Sequence, residues 1–166
     1  MHKNASRLGE LNQIIQQLGL SDSSSPHLNG VNSPIRVSRT ASVGSDKSMT
    51  TTATLYRNGK LVVEVDTDCD DLMHGLRGRV LVVARDGDGN ASGATNVLHC
   101  TTRGGVWDPS TPSSGKDVFY LQFPEDVARR AVSLDIYQAN GGSLGTALNN
   151  ILQVGNVVLA VLGAAE

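Results

Sequence analysis

Gly141-Gly142-Ser143-Leu144-Gly145 is the stretch of this chain that spells a catalytic pattern. A serine between glycines, entered from a strand and left by a helix, is the sharp turn that exposes a nucleophilic hydroxyl in hydrolase sheets. Such a serine needs an acid and a histidine later in the chain to take and return its proton. No His or Asp follows Ser143. A glycine-rich turn therefore explains the residues, and the chain lacks a complete set of acid, base and nucleophile, so it is not expected to be an enzyme.

Carboxylates gather in two places. Asp66, Asp68, Asp70 and Asp71 crowd one segment, and Asp86, Asp88 and Asn90 another. Placed at the same end of a fold, two such loops could share a hard cation such as calcium. Neither is an EF-hand, because the position that needs a bidentate Glu is Arg77 in the first and Val97 in the second. Asp-Gly-Asp-Gly-Asn is also an ordinary turn sequence. Cys69, His74, His99 and Cys100 are the residues that could suggest zinc, but His99 and Cys100 are adjacent in a predicted strand and should face opposite ways. No cofactor and no metal are expected.

The basic residues carry a different chemistry. Lys3, Arg7, Arg36, Arg39 and Lys47 stand against Glu10, Asp22 and Asp46 in residues 1–50, a net of +2, while the remainder nets −4. These five cations are the candidate nucleic-acid-facing residues of an N-terminal arm, spread too thinly for a dense phosphate-binding tract. Arg39-Thr40-Ala41-Ser42 also fits a basophilic kinase site, inside a predicted strand. Overall, 14 Lys and Arg balance 16 Asp and Glu, which gives no general drive toward polyanions.

The elements that must position these groups follow from periodicity. Leu8, Leu11, Ile14, Ile15 and Leu18 recur at helical spacing between Ser6 and Gly19, predicting a short amphipathic helix. A helix of about a dozen residues is marginal alone in water, so its stripe must dock on the body or on another copy. Residues 20–34 have a linker's Ser, Pro, Gly and Asn content. Fixing fifteen residues costs on the order of 15 kcal/mol, more than Leu28 and Val31 can return at about 2 kcal/mol each. That arm should be flexible unless a second molecule holds it.

From residue 35 the period is two. Strands are predicted at 35–43, 51–57, 60–66, 79–85, 95–102, 117–123, 131–138 and 154–162, with Asn58-Gly59 as a hairpin turn and Pro124 opening a short helix through PEDVARR. RVLVVAR is apolar on both faces and belongs deep in a sheet. Trp107 anchors a long loop at 103–116. Eight short strands without strand–helix–strand alternation predict an all-β, antiparallel sandwich of the jelly-roll type. The chain thus divides into an arm at 1–34, with its short helix, and a sandwich at 35–166. Two cysteines and no signal-peptide pattern fit a reduced, intracellular setting. Ile151 to Ala165 is too short and too interrupted for a membrane span.

The succession of a polar arm, LRGRVLVVARDGD, DVFYLQFPEDVARRAVSLDIY and a terminal VGNVVLAVL, over residues 35–162, resembles the small jelly-roll coat proteins of icosahedral plant RNA viruses of the bromovirus and tymovirus types. The sparse arm is closer to the tymovirus type. The resemblance implies a self-assembling capsid or virion-shell subunit, found in virions and host cytoplasm, whose partners are its own copies and nucleic acid through the arm. GKLVVEVDTDCDDL, the WDP loop, FPEDV and SLDIYQANGGSLG are also similar to pieces of a C2 domain, which implies a membrane- or protein-binding module. The loop that would hold that family's later calcium ligands reads QANGG, so such a module would be calcium-independent.

Overall fold

A computed structural model describes residues 32–70, 75–102, 113–141, 144–154 and 156–163, and these build a two-sheet β-sandwich. The predicted arm helix, most of the linker, Asp71, His74, Trp107 and Ser143 lie outside the described residues. The first sheet contains β1 (Ile35–Gly44), β2 (Lys47–Leu55) and β3 (Lys60–Cys69), joined as consecutive antiparallel hairpins. β4 (Leu76–Asp86) crosses to the second sheet and becomes its centre. β5 (Ala91–Ala94) and β6 (Leu98–Thr102) pair with successive halves of one side of β4. β7 (Ser113–Gln122) returns to the first sheet beside β3. After helix α1 (Glu125–Arg130), β8 (Ala131–Asn140) takes the other side of β4. Helix α2 (Leu144–Gln153) is followed by β9 (Val158–Leu159), parallel to β5, and β10 (Val161–Leu162), antiparallel to β7.

Ten strands are described where the sequence predicts eight. The two extra strands are β5, at 91–94 where none is predicted, and the second half of the divided terminal strand. The segment predicted as one strand from 95 loses its first residues because Thr95 turns onto β4, its amide donating to Val82 O while its hydroxyl accepts from Val82 N. The terminal strand divides because the helix runs to Gln153 and the chain then passes from one sheet to the other. The first sheet's order, β1-β2-β3-β7-β10, is a meander extended at its β3 side. A Greek key would return its fourth strand beside the first, so jelly-roll connectivity is not what this order shows.

Side-chain alternation explains the layers. Met49, Ala53, Leu55, Leu61, Val63 and Val65 turn inward from the first sheet and meet Leu76, Val80, Val82, Leu98, Leu134 and Ile136 from the second. Ser38, Thr40, Thr50 and Thr52 take the outward positions, joined by hydroxyl pairs across β1 and β2. β4 is buried on both faces, as its sequence predicts: Val80 through Ala84 are wholly inaccessible. The reason is α2, whose Leu144 and Leu148 cover Leu81, Val83 and Ala94 on the far side of the second sheet.

The hairpin at Asn58-Gly59 forms, but not as a two-residue turn. Gly59 N donates to Tyr56 O and Tyr56 N to Lys60 O, and of the turn residues only Gly59 has positive φ, at 92°. That is a type I turn closed by a glycine bulge. A second glycine is fixed by packing: a Cβ on Gly93 would lie 2.7 Å from the Phe123 ring and 2.9 Å from Val127.

Side chains, rather than a backbone ladder, join the sheets at the β1–β8 seam. Arg39 Nη1 donates to Ile136 O at 2.6 Å, and Gln138 Nε2 reaches back to Arg39 O, Met49 O and Thr51 Oγ1. Nearby, Arg57 donates from Nη1 to Ala128 O and Ala131 O and from Nε to Ser33 O. It thereby satisfies a carbonyl that the end of α1 leaves without a helical partner. Arg57→Ala should lower stability by about 2 kcal/mol, since hydrogen bonds from charged donors contribute about that much and these are partly exposed. Arg57→Lys, which cannot span all three carbonyls, should recover less than half of the loss in urea unfolding.

Candidate functional site

The residues singled out from sequence disperse. Lys3 and Arg7 lie outside the described residues. Arg36 and Arg39 belong to β1 and Lys47 opens β2, so these three are parts of the sandwich body. Arg36 and Arg39 fall on opposite faces of their strand, and Arg39 is committed to Ile136 O. Thr40 and Ser42 of the kinase-like stretch are in the β1–β2 ladder, with Ser42 donating to Gly44 O.

The two acidic groups are not neighbours, so the described residues do not bring them together around a shared cation. Asp70 follows β3 at the end of the sandwich where β4 begins, whereas Asp86, Asp88 and Asn90 form the turn where β4 ends. Eleven residues of strand place them about 33 Å apart. Asp86 Oδ1 already accepts from the amides of Asp88 and Asn90, so that loop is a self-capped turn. Asp66 and Asp68 are exposed on the outward face of β3, and Lys116 reaches Glu64 at 3.5 Å across the same face. Among the described residues no group of three or more His, Cys, Asp or Glu could hold a metal ion.

His99 and Cys100 do face opposite ways. His99 is exposed beside Arg79, while Cys100 is buried in the core. Burial, with a smaller contribution from the Asp117 carboxylate, pushes the Cys100 thiol from its ordinary value of 9.0 up to about 12.

What the sequence analysis missed is at the other end of the chain. Residues 158–163 form a strap across the edge of both sheets. β9 adds to the second sheet, Ala160 N donates to Ala94 O at 2.9 Å, β10 adds to the first sheet, and Gly163 N donates to Tyr120 O at 2.8 Å. Ala160 is the small side chain that turns into the core; its larger neighbours stay outside. Val158, Leu159, Val161 and Leu162 are 38%, 36%, 64% and 80% exposed, and Val154 just before them 87%. With Asn58, Gln122, Phe123, Pro124 and Glu125 the strap also lines a shallow groove. The signal for this ledge was the run Val157-Val158-Leu159-Ala160-Val161-Leu162, read as part of one strand at 154–162.

Val158, Leu159 and Val161 line one groove and Leu162 beside them is 80% exposed; neighbouring exposed apolar side chains of this kind are candidates for a contact surface, where single ones are normal. The ledge side chains, all Val and Leu, carry no nucleophile or base. No helix among the described residues is long and apolar enough to cross a membrane. The chain matches no family model, curated protein or solved structure in comparisons with known proteins.

The raised Cys100 thiol sets two expectations. In native protein at pH 8 a thiol reagent should label Cys100 only as fast as the fold opens. Because the folded group holds its proton to higher pH than the unfolded one, its contribution to stability is complete below pH 9.0 and is lost as pH rises toward about 12. Urea midpoints measured upward from pH 8 should fall across that window, and Cys100→Ala should flatten the decline.

Proposed function

We propose that this chain is a structural protein that works by associating with copies of itself, as the subunit of a virion-type shell. The observation that carries this reading is the apolar ledge of Val158, Leu159, Val161 and Leu162 on the strap. The coat-protein resemblance of the sequence points the same way. In this reading the sandwich tiles, and the N-terminal arm, with Lys3 and Arg7, orders against neighbours and faces packaged nucleic acid. No step of catalysis is required of it.

Magnitudes favour many weak contacts over one tight pair. Fully burying a Val or Leu side chain contributes about 1.5–3 kcal/mol, and the strap residues are already half covered in part. Bringing two chains together costs at least about 4 kcal/mol. One ledge contact therefore gives a weak pair, and a stable assembly needs several contacts acting at once, as a closed shell supplies.

Purified protein should form large closed particles, visible by negative-stain microscopy and light scattering. Val161→Asp with Leu162→Asp, at exposed positions, should leave the circular dichroism melt within a few degrees of the parent and abolish the particles. A monodisperse monomer of the unaltered chain at high concentration contradicts the proposal, and so does selective co-sedimentation of that monomer with liposomes, which the membrane-module reading expects.

A further inference from the structure

Among the described arginines three meet carboxylates, while Arg39 and Arg57 are held by backbone carbonyls instead. Arg85 pairs with Asp135, Arg129 with Glu125 and Arg130 with Asp126. Arg77 and Arg79 have no carboxylate among the described residues. They alternate with buried Leu76, Gly78 and Val80 along β4, so both point from the outer face of the second sheet, beyond the part that α2 covers. Two residues of strand separate them by about 6.6 Å. Across the ladder Arg79 stands opposite His99 and Arg77 opposite Thr101. Arg77, His99 and Thr101 are exposed. The sheet's nearest carboxylate on this face, Asp135, lies opposite Val83 and is taken by Arg85.

The Arg79 head is held in place but not neutralised. Its Nη1 lies 2.9 Å and 3.1 Å from the two ring nitrogens of His99, and its Nε is buried with no hydrogen-bond partner. The Arg77 and Arg79 guanidiniums repel each other along one face of the strand, and an arriving anion would relieve this. We propose that Arg77, Arg79, His99 and Thr101 form an oxyanion site that takes phosphates of a single-stranded nucleic-acid backbone.

The shape of the face selects a polymer. Among the described residues it is open sheet surface without walls, so each phosphate contact stays hydrated and weak, and a chain of linked phosphates sums contacts that a free ion cannot. The neighbouring aromatic on this face, Tyr137, is engaged by Arg85 and packed under α2. With no free Phe, Tyr or Trp ring on this face among the described residues, the face contacts backbone and reads no sequence. This extends the nucleic-acid partner of the shell reading from the arm to the body, and does not itself require particles.

The test is fluorescence anisotropy of a labelled single-stranded oligoribonucleotide titrated with the full chain over a range of salt, with pyrophosphate and anionic vesicles as separate arms. Arg77→Ala with Arg79→Ala should weaken oligonucleotide binding at least tenfold and reduce the slope of log K against log salt by about 1.4, near 0.7 per lost contact. Arg77→Ala alone, at an exposed side chain with no bond to lose, should remove about half of that slope and decides the matter if the double variant fails to fold. Pyrophosphate should compete only at far higher concentration. The Val161→Asp, Leu162→Asp chain should bind like the parent, so failure of assembly and failure of this site are read separately. Absence of oligonucleotide binding at low salt, binding unchanged in the arginine variants, or binding to vesicles alone overturns the proposal.

Discussion

The strap at residues 158–163 is the constraint on which the rest of this architecture depends. Two sheets that merely face each other have four open edges, and open edges invite other strands. Here one short segment donates a backbone bond to each sheet, through Ala160 to Ala94 and through Gly163 to Tyr120. A segment that must reach both sheets within a few residues cannot also alternate its side chains into one core. Only Ala160 is small enough to enter, and the cost is a row of valines and leucines left in solvent. The ledge is thus a consequence of how the sandwich is closed.

The opposite seam solves the same problem with polar groups. Arg39 is an inward-facing charge on edge strand β1, a device that discourages further strand addition, and its guanidinium meets a carbonyl of β8 rather than water alone. Gln138 returns the contact from β8 to β1 and β2. One edge of the sandwich is therefore polar and laced, and the other apolar and exposed, which makes the molecule directional. The apolar edge and the arginine-bearing face of the second sheet are distinct, so the proposed association and the proposed phosphate contact would use separate surfaces.

Much of this fold was legible in the residues. Two-residue periodicity located β1, β3, β7 and β8, the doubly apolar run at 80–84 announced a central strand, and Pro124 with its acids announced α1. What escaped depended on contacts distant in sequence. Thr95 leaves its strand because its hydroxyl meets Val82, and nothing in local alternation encodes that. The acidic loops looked adjacent because they are near in sequence, yet β4 carries the chain from one end of the sandwich to the other between them. Arg57 reads as the last residue of a strand and instead lies in the turn and ties α1 to the chain entering β1. The candidate surface was the least legible part, since VVLAVL reads as part of a single strand and only the passage between two sheets turns four of its side chains outward.

Hydrogen exchange of the strap amides in dilute, unassociated protein tests the account most directly. If the strap closes both sheets within one chain, the Ala160 and Gly163 amides should exchange as slowly as those of β3 and β4 before any copies meet. Exchange of those two amides at the rate of open chain, with the core strands still protected, would contradict it, because the ledge would then not exist as a fixed surface in the lone subunit.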